Sequence, residues 1–151
     1  MNWHKRYIDL AKTTASWSKD PSRKIGAVII GENNQIVSLG YNGFPRGIAD
    51  TQERLNDRET KYKYMVHAEM NAIYNAIHNN ASTVGCSIYV TGLPVCRECA
   101  KAIIQVGIKN VYMATKPVDN WKESGEDSIE MFKEAGINFF YVQENDEIHT
   151  N

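Results

Sequence analysis

Trp3, Tyr7, Leu10, Thr14 and Trp17 fall at the spacing of one helix face, so the chain is expected to open with an amphipathic helix. Asp20-Pro21-Ser22 ends it. An apolar run, Ile25 to Ile30, then meets the turn-forming Gly31-Glu32-Asn33-Asn34 and a second run, Ile36 to Gly40. Two such runs around a turn predict an antiparallel hairpin. From Asn42 to Lys63 the chain is polar and shows no clear period. So long a connection inside a compact domain is more often functional than idle.

Periodicity returns at His67, with Met70, Ile73 and Ile77 marking the inward face of a helix. Ile88 to Thr91 reads as a strand. A helix then opens at Cys96, with Ala100, Ile103 and Ile104 as its apolar face and Gly107 as its stop. Ile108 to Ala114 is a strand, Ser124 to Ala135 a helix closed by Gly136, and Ile137 to Val142 the last strand. Alternating helix and strand imply right-handed crossovers and parallel neighbours. The expected fold class is α/β: a three-layer α/β/α domain on a mixed sheet of about five strands, with an N-terminal antiparallel hairpin. The domain is expected to span residues 1–143, with 144–151 as a frayed polar tail.

The bulk properties narrow the function classes. A chain of 151 residues favours one domain with a real core. A net charge of −1 gives no general electrostatic footprint for a nucleic-acid backbone. No run approaches the length of a membrane span, and the first residues form no apolar signal region. The three cysteines do not make a disulfide framework; they fit a reducing cytoplasm.

Two of those cysteines carry chemistry. Cys96 and Cys99 stand three apart at a helix start, on one face, and a helix N-terminus favours thiolate. His67 opens a different helix. One imidazole and two thiolates suit a zinc ion that keeps its fourth position for water. Glu69, two residues after the histidine, can reach that water without being a ligand. A structural zinc or a redox dithiol is the rival reading of C-x-x-C. A structural zinc would need a fourth ligand. His78 lies about 16 Å further along the helix axis, Cys86 reads as a small buried hydrophobe, and His4 and His149 read as solvated near the termini.

H-x-E with a later P-C-x-x-C is the signature of zinc nucleobase deaminases. Here Val95 takes the place of the proline, which stands one residue earlier as Pro94. The chemistry implied is hydrolytic deamination, with Glu69 moving the proton. From Trp3 to Val142 the chain resembles the deoxycytidylate (dCMP) deaminase family. The resemblance is carried by Ser18 to Ser22 before Ile25-Gly26-Ala27-Val28, by Gly40 to Gly47, by Asn56 to Glu59, by His67-Ala68-Glu69-Met70-Asn71-Ala72-Ile73, and by Cys96 to Lys101.

The resemblance implies zinc on His67, Cys96 and Cys99, with Glu69 as proton shuttle. It places Asn42 at the deoxyribose or base of the substrate; apart from the resemblance, backbone N–H groups near Ala68 and Cys96 are expected to orient the base. The resemblance also implies dCTP with Mg2+ as activator and dTTP as inhibitor, bound at Asn42, Gly43, Phe44, Arg46, Gly47, Arg58 and Glu59, in a cytoplasmic hexamer. The family's tyrosine and arginine near the substrate phosphate are replaced by Thr115 to Trp121. Lys116, and second Lys24, are the expected phosphate cations. A bifunctional dCMP/dCTP deaminase, or a deaminase of another nucleobase, is the alternative.

Overall fold

The computed structural model describes residues 2–116, 119–142 and 148–150; of residues 119 and 148–150 only the backbone is described. Helix α1 (Trp3–Ala15) is capped by the Asn2 side chain, which accepts from the amides of His4 and Lys5. Its buried face is Tyr7, Ile8, Ala11, Thr14 and Ala15. Trp3 and Trp17, expected on that face, are 42% and 55% exposed. The reason is a close approach. A Cβ on Gly26 would lie 2.0 Å from the Ala11 carbonyl oxygen, so only small side chains fit at the centre of the contact.

Strands β1 (Gly26–Ile30) and β2 (Ile36–Tyr41) form the expected hairpin, with Gly26 opposite Tyr41. The polar stretch after it is not structureless. It holds two short helices, α2 (Gln52–Asn56) and α3 (Arg58–Tyr64). Between them they bury one residue, Leu55, which is why no apolar period announces them. Helix α4 (Ala68–His78) follows, buried through Ala68, Glu69, Ala72, Ile73 and Ala76. Ile77, expected inward, is 63% exposed. Alanines at every fourth position face β2 instead, where a Cβ on Gly40 would lie 2.2 Å from the Ala72 amide nitrogen. The Ser38 hydroxyl donates to the Ala72 carbonyl at 2.7 Å across the same contact.

The chain continues through β3 (Ser87–Thr91), α5 (Arg97–Gln105), β4 (Asn110–Met113), a 3-10 turn at Asp119–Trp121, α6 (Lys122–Ala135), β5 (Asn138–Val142) and β6 (Ile148–Thr150). Gly107 and Gly136 take left-handed φ of 79° and 76° as these helices end. Of the expected tail, residues 148–150 pair antiparallel with β5. Residues 143–147 and 151, which include the expected domain boundary, lie outside the description.

The described strands form one six-stranded mixed sheet, ordered β2-β1-β3-β4-β5-β6. β3, β4 and β5 are parallel, as expected; β1 joins β3 antiparallel. Alternate residues divide the two cores. Ala27, Ile29, Ile88, Val90, Val111, Met113, Phe139 and Tyr141 pack with α4, α5 and α6. Val28, Ile30, Tyr89 and Val142 pack with α1. His4, expected in solvent, is drawn into this second core. Its Nδ1 lies 2.6 Å from the Tyr89 hydroxyl and its ring 4.6 Å from that of Tyr112.

Candidate metal centre and active-site pocket

Strand register brings the site together. Gly26 at the start of β1 lies opposite both Tyr41 at the end of β2 and Thr91 at the end of β3. Three chain segments therefore meet at one edge of the sheet: residues before Ile25, residues after Tyr41, and residues after Thr91. They close around the N-termini of α4 and α5 as a pocket of about 330 Å³. Its walls include Arg23, Asn42, His67, Glu69, Cys96 and Trp121.

His67 is the N-cap residue of α4, and Cys96 the N-cap residue of α5. Their extended backbones turn both side chains across the helix ends. His67 Nδ1 lies 3.3 Å from the sulfur of Cys96 and 3.3 Å from that of Cys99. All the donor atoms fall within 4.8 Å of one another. Zn–S and Zn–N bonds of about 2.0–2.3 Å need this convergence, so the residues present fit zinc. No other such group of three occurs among the described residues. Cys86 is buried, with its sulfur 3.7 Å from the Ser82 carbonyl, and His78 is exposed at the end of α4.

The donor set is electrostatically poised. A hydrogen bond with Cys99 holds the Cys96 thiol down to about 4, against burial; His67 and the Cys99 amide add to the effect. The same contact with Cys96, then burial and Glu69, raise the Cys99 thiol. Cys96 likewise raises His67.

Glu69 sits in the first turn of α4 and is 4% exposed. Burial and the neighbouring Cys96 push its carboxyl up to about 7, while His67 opposes. A carboxyl that exchanges its proton near neutrality suits general acid–base work.

The structure groups His67, Ala68, Glu69, Cys96 and Asn42 in one pocket, with Cys99 behind it. Asn42 is 4% exposed. Its amide accepts from the Ile25 amide at 2.9 Å and donates to the Arg23 carbonyl at 2.9 Å and to Asp20 at 3.3 Å. Lys24 and Lys116 are not on the pocket wall. Lys24 donates to the Ser18 carbonyl at 2.7 Å. Lys116 lines a different cleft, 5.3 Å from the Tyr141 ring.

The expected effector residues are spread out. Gly43 pairs with Val66 in an isolated bridge, and the Phe44 ring lies 5.7 Å from that of Tyr64. Arg46 donates to Asn75 on α4 at 2.7 Å. Gly47 has φ of 87°. Arg58 stacks 5.5 Å over Tyr62, and Glu59 is exposed. Arg23, Lys61, Asp20 and Trp121 line the pocket but were not among the expected substrate residues. They come from three separate segments, with only Asp20 and Arg23 close in sequence, and no local spacing joins the three.

A family model described as the cytidine and deoxycytidylate deaminase zinc-binding region matches residues 1–115. The chain belongs to this family. The deaminase is 42% identical to the deoxycytidylate deaminase of Mus musculus, over 92% of this chain and 79% of the mouse protein. It is 44% identical to "Uncharacterized deaminase in luxG 3'region" of Aliivibrio fischeri, over 89% of this chain and 90% of that one. Its fold matches the crystal structure of dCMP deaminase from the cyanophage S-TIM5 with a TM-score of 0.74 at 24% identity, covering 92% of this chain and 96% of that one. Among the described residues, no helix is long and apolar enough to cross a membrane.

Proposed function

We propose that this deaminase hydrolyses dCMP to dUMP and ammonia, with zinc held by His67, Cys96 and Cys99. One observation carries the reading: the buried Glu69 carboxyl shares a pocket with the metal-ligating cluster. The mouse relative's name supports a deoxycytidylate substrate. Bound zinc supplies a water whose pKa is lowered toward neutrality. Glu69 accepts that water's proton and gives it to the ring nitrogen beside C4. A second proton passes through the same carboxyl to the departing amine. The C4–N bond breaks, a carbonyl forms at C4, and ammonia leaves. Ala68, fully buried at the first turn of α4, and Asn42 form part of the wall against the nucleoside.

The stretch from Asn42 to Glu59 is proposed to bind dCTP with Mg2+ as activator and dTTP as inhibitor, in a cytoplasmic hexamer. Paired hydrogen bonds between Gly43 and Val66, of 3.1 and 2.8 Å, support coupling. They tie the start of the stretch to the residue before His67.

The test is a substrate panel on the zinc-loaded enzyme: dCMP, dCTP, deoxycytidine and a single-stranded oligonucleotide. Preferred turnover of dCMP is expected. Equal turnover of dCTP would make the enzyme bifunctional, and activity on none of these would overturn the reading.

A further inference from the structure

Two cationic side chains line the pocket, Lys61 and Arg23. Lys61 is already matched: its ammonium lies 3.1 Å from Asp20, and the two side chains are only 16% and 6% exposed. Arg23 has no carboxylate within 4.0 Å among the described side chains. Its guanidinium instead lies 4.7 Å over the indole ring of Trp121. Stacking fixes the plane of a guanidinium and leaves its edge N–H groups free.

Arg23 is also fixed through its backbone. Its amide donates to Asp20 at 3.3 Å, and its carbonyl accepts from Asn42 at 2.9 Å. Asp20 in turn takes the Ser22 amide at 2.8 Å and the Lys61 ammonium. Trp121 is set just as firmly relative to the zinc helix. It precedes α6, whose Ser128 hydroxyl donates to the Val95 carbonyl at 2.8 Å, and whose Ser124 hydroxyl accepts the Arg97 amide at 2.9 Å. A planar cation, exposed and stacked on one face, is thus anchored through its own backbone and through Trp121 in the pocket that contains Glu69.

We infer that Arg23, stacked on Trp121, is the phosphate-binding and specificity-determining residue of this deaminase, selecting nucleoside monophosphates over nucleosides. The inference rests on the deaminase reading above and deepens it. A guanidinium edge matches two oxygens of a phosphate, and the charge-assisted pair is stronger than hydrogen bonds to a sugar hydroxyl. Trp121 is a positioning residue. It touches the arginine and presets its plane.

The experiment compares wild type with Arg23→Ala, Arg23→Lys, Trp121→Ala, Trp121→Phe and the double Arg23→Ala/Trp121→Ala variant, each checked for zinc content. The readouts are kcat and KM for dCMP and deoxycytidine, and the Kd of dUMP. For Arg23→Ala we expect kcat/KM for dCMP to fall about 100-fold, chiefly through KM, with a far smaller loss for deoxycytidine. The dUMP Kd should rise in step. Arg23→Lys should recover only part, because an ammonium cannot pair two oxygens in one plane. Trp121→Ala should weaken dCMP by about 3–10-fold and add nothing once Arg23 is gone, and Trp121→Phe should restore most of the loss. If Arg23→Ala keeps the wild-type ratio of dCMP to deoxycytidine, the assignment of Arg23 fails while dCMP deamination stands. If wild type deaminates neither substrate, both readings fall.

Discussion

Glu69 is a carboxyl from which water has been almost entirely removed. Glu69→Gln keeps its size and removes its proton. Zinc content should stay the same, and kcat should fall by about 10²–10⁴-fold, as metal analysis beside steady-state kinetics will show. The same side chain gives the chelated protein a pH signature. Its folded pKa of about 7 lies above the ordinary 4.5. Below 4.5 both the folded and unfolded states are protonated, and its stabilisation is fully present. As pH rises toward 7 the unfolded chain releases a proton that the folded chain retains, and about 3 kcal/mol is lost by the time both have ionised. The stability of chelated wild type should therefore fall relative to chelated Glu69→Gln between about pH 5 and 8. Parallel denaturation curves for the two proteins across that range would contradict the raised pKa. Glu69 was legible as a candidate proton carrier from its place after His67, and that role stands as a proposal. Its burial was not, because that depends on β1 and β2 packing against α4.

At the scale of elements, the contact of α4 with β2 is a tight constraint on the helix that carries Glu69. A methyl group at Gly40 would meet the backbone nitrogen of Ala72 and the carbonyl oxygen of Ala68 at 2.2 and 2.4 Å. Backbone atoms cannot step aside as side chains do. Gly40→Ala should cost about 1–3 kcal/mol and displace the turn that holds Ala68 and Glu69. Both Tm and kcat should drop. Gly43→Ala is the control: its Cβ would find nothing nearer than 3.9 Å, so Tm should hold. If Gly40→Ala melts and turns over like wild type, the packing argument is wrong. This contact also explains what the sequence concealed. Helices α1, α4, α5 and α6 were legible from period and stop signals. Their inward faces were partly misassigned, because alanines at close contacts carry little hydrophobic signal while exposed Trp17 and Ile77 carry a strong one. α2 and α3 bury too little to have a face at all.

The whole molecule is organised by one decision of topology, the antiparallel union of β1 with β3. Local sequence does not dictate that pairing, since β1 and β3 are separated by the hairpin turn, the polar stretch and α4. Hence the clustering of His67, Cys96 and Cys99 as candidate metal ligands could be read from H-x-E and C-x-x-C, while the pocket wall formed by Arg23, Lys61 and Trp121 could not. The proposed effector stretch belongs to this scale too. An effector shifts activity only through different affinities for two states. Saturation by dCMP is expected to be sigmoidal, to become hyperbolic with dCTP and Mg2+, and to be suppressed by dTTP. Arg46→Ala should blunt both responses by removing the link to Asn75 on α4. Hyperbolic curves indifferent to both triphosphates would end the regulatory reading and leave the zinc chemistry intact.

The same strand register that gathers the site at one edge puts the β1–β2 turn at the other. The β1–β2 turn there carries Glu32, Asn33 and Asn34, all exposed. Its main tie to the rest of the fold is the Tyr7 hydroxyl donating to the Asn34 carbonyl at 2.8 Å. This is a natural attachment point. A peptide tag or surface linker inserted after Asn33 would tether the enzyme by its back, with the mouth of the pocket facing solution. Exposed turns of this kind accept insertions far better than regular elements. An immobilised enzyme joined here should retain the KM of the free one.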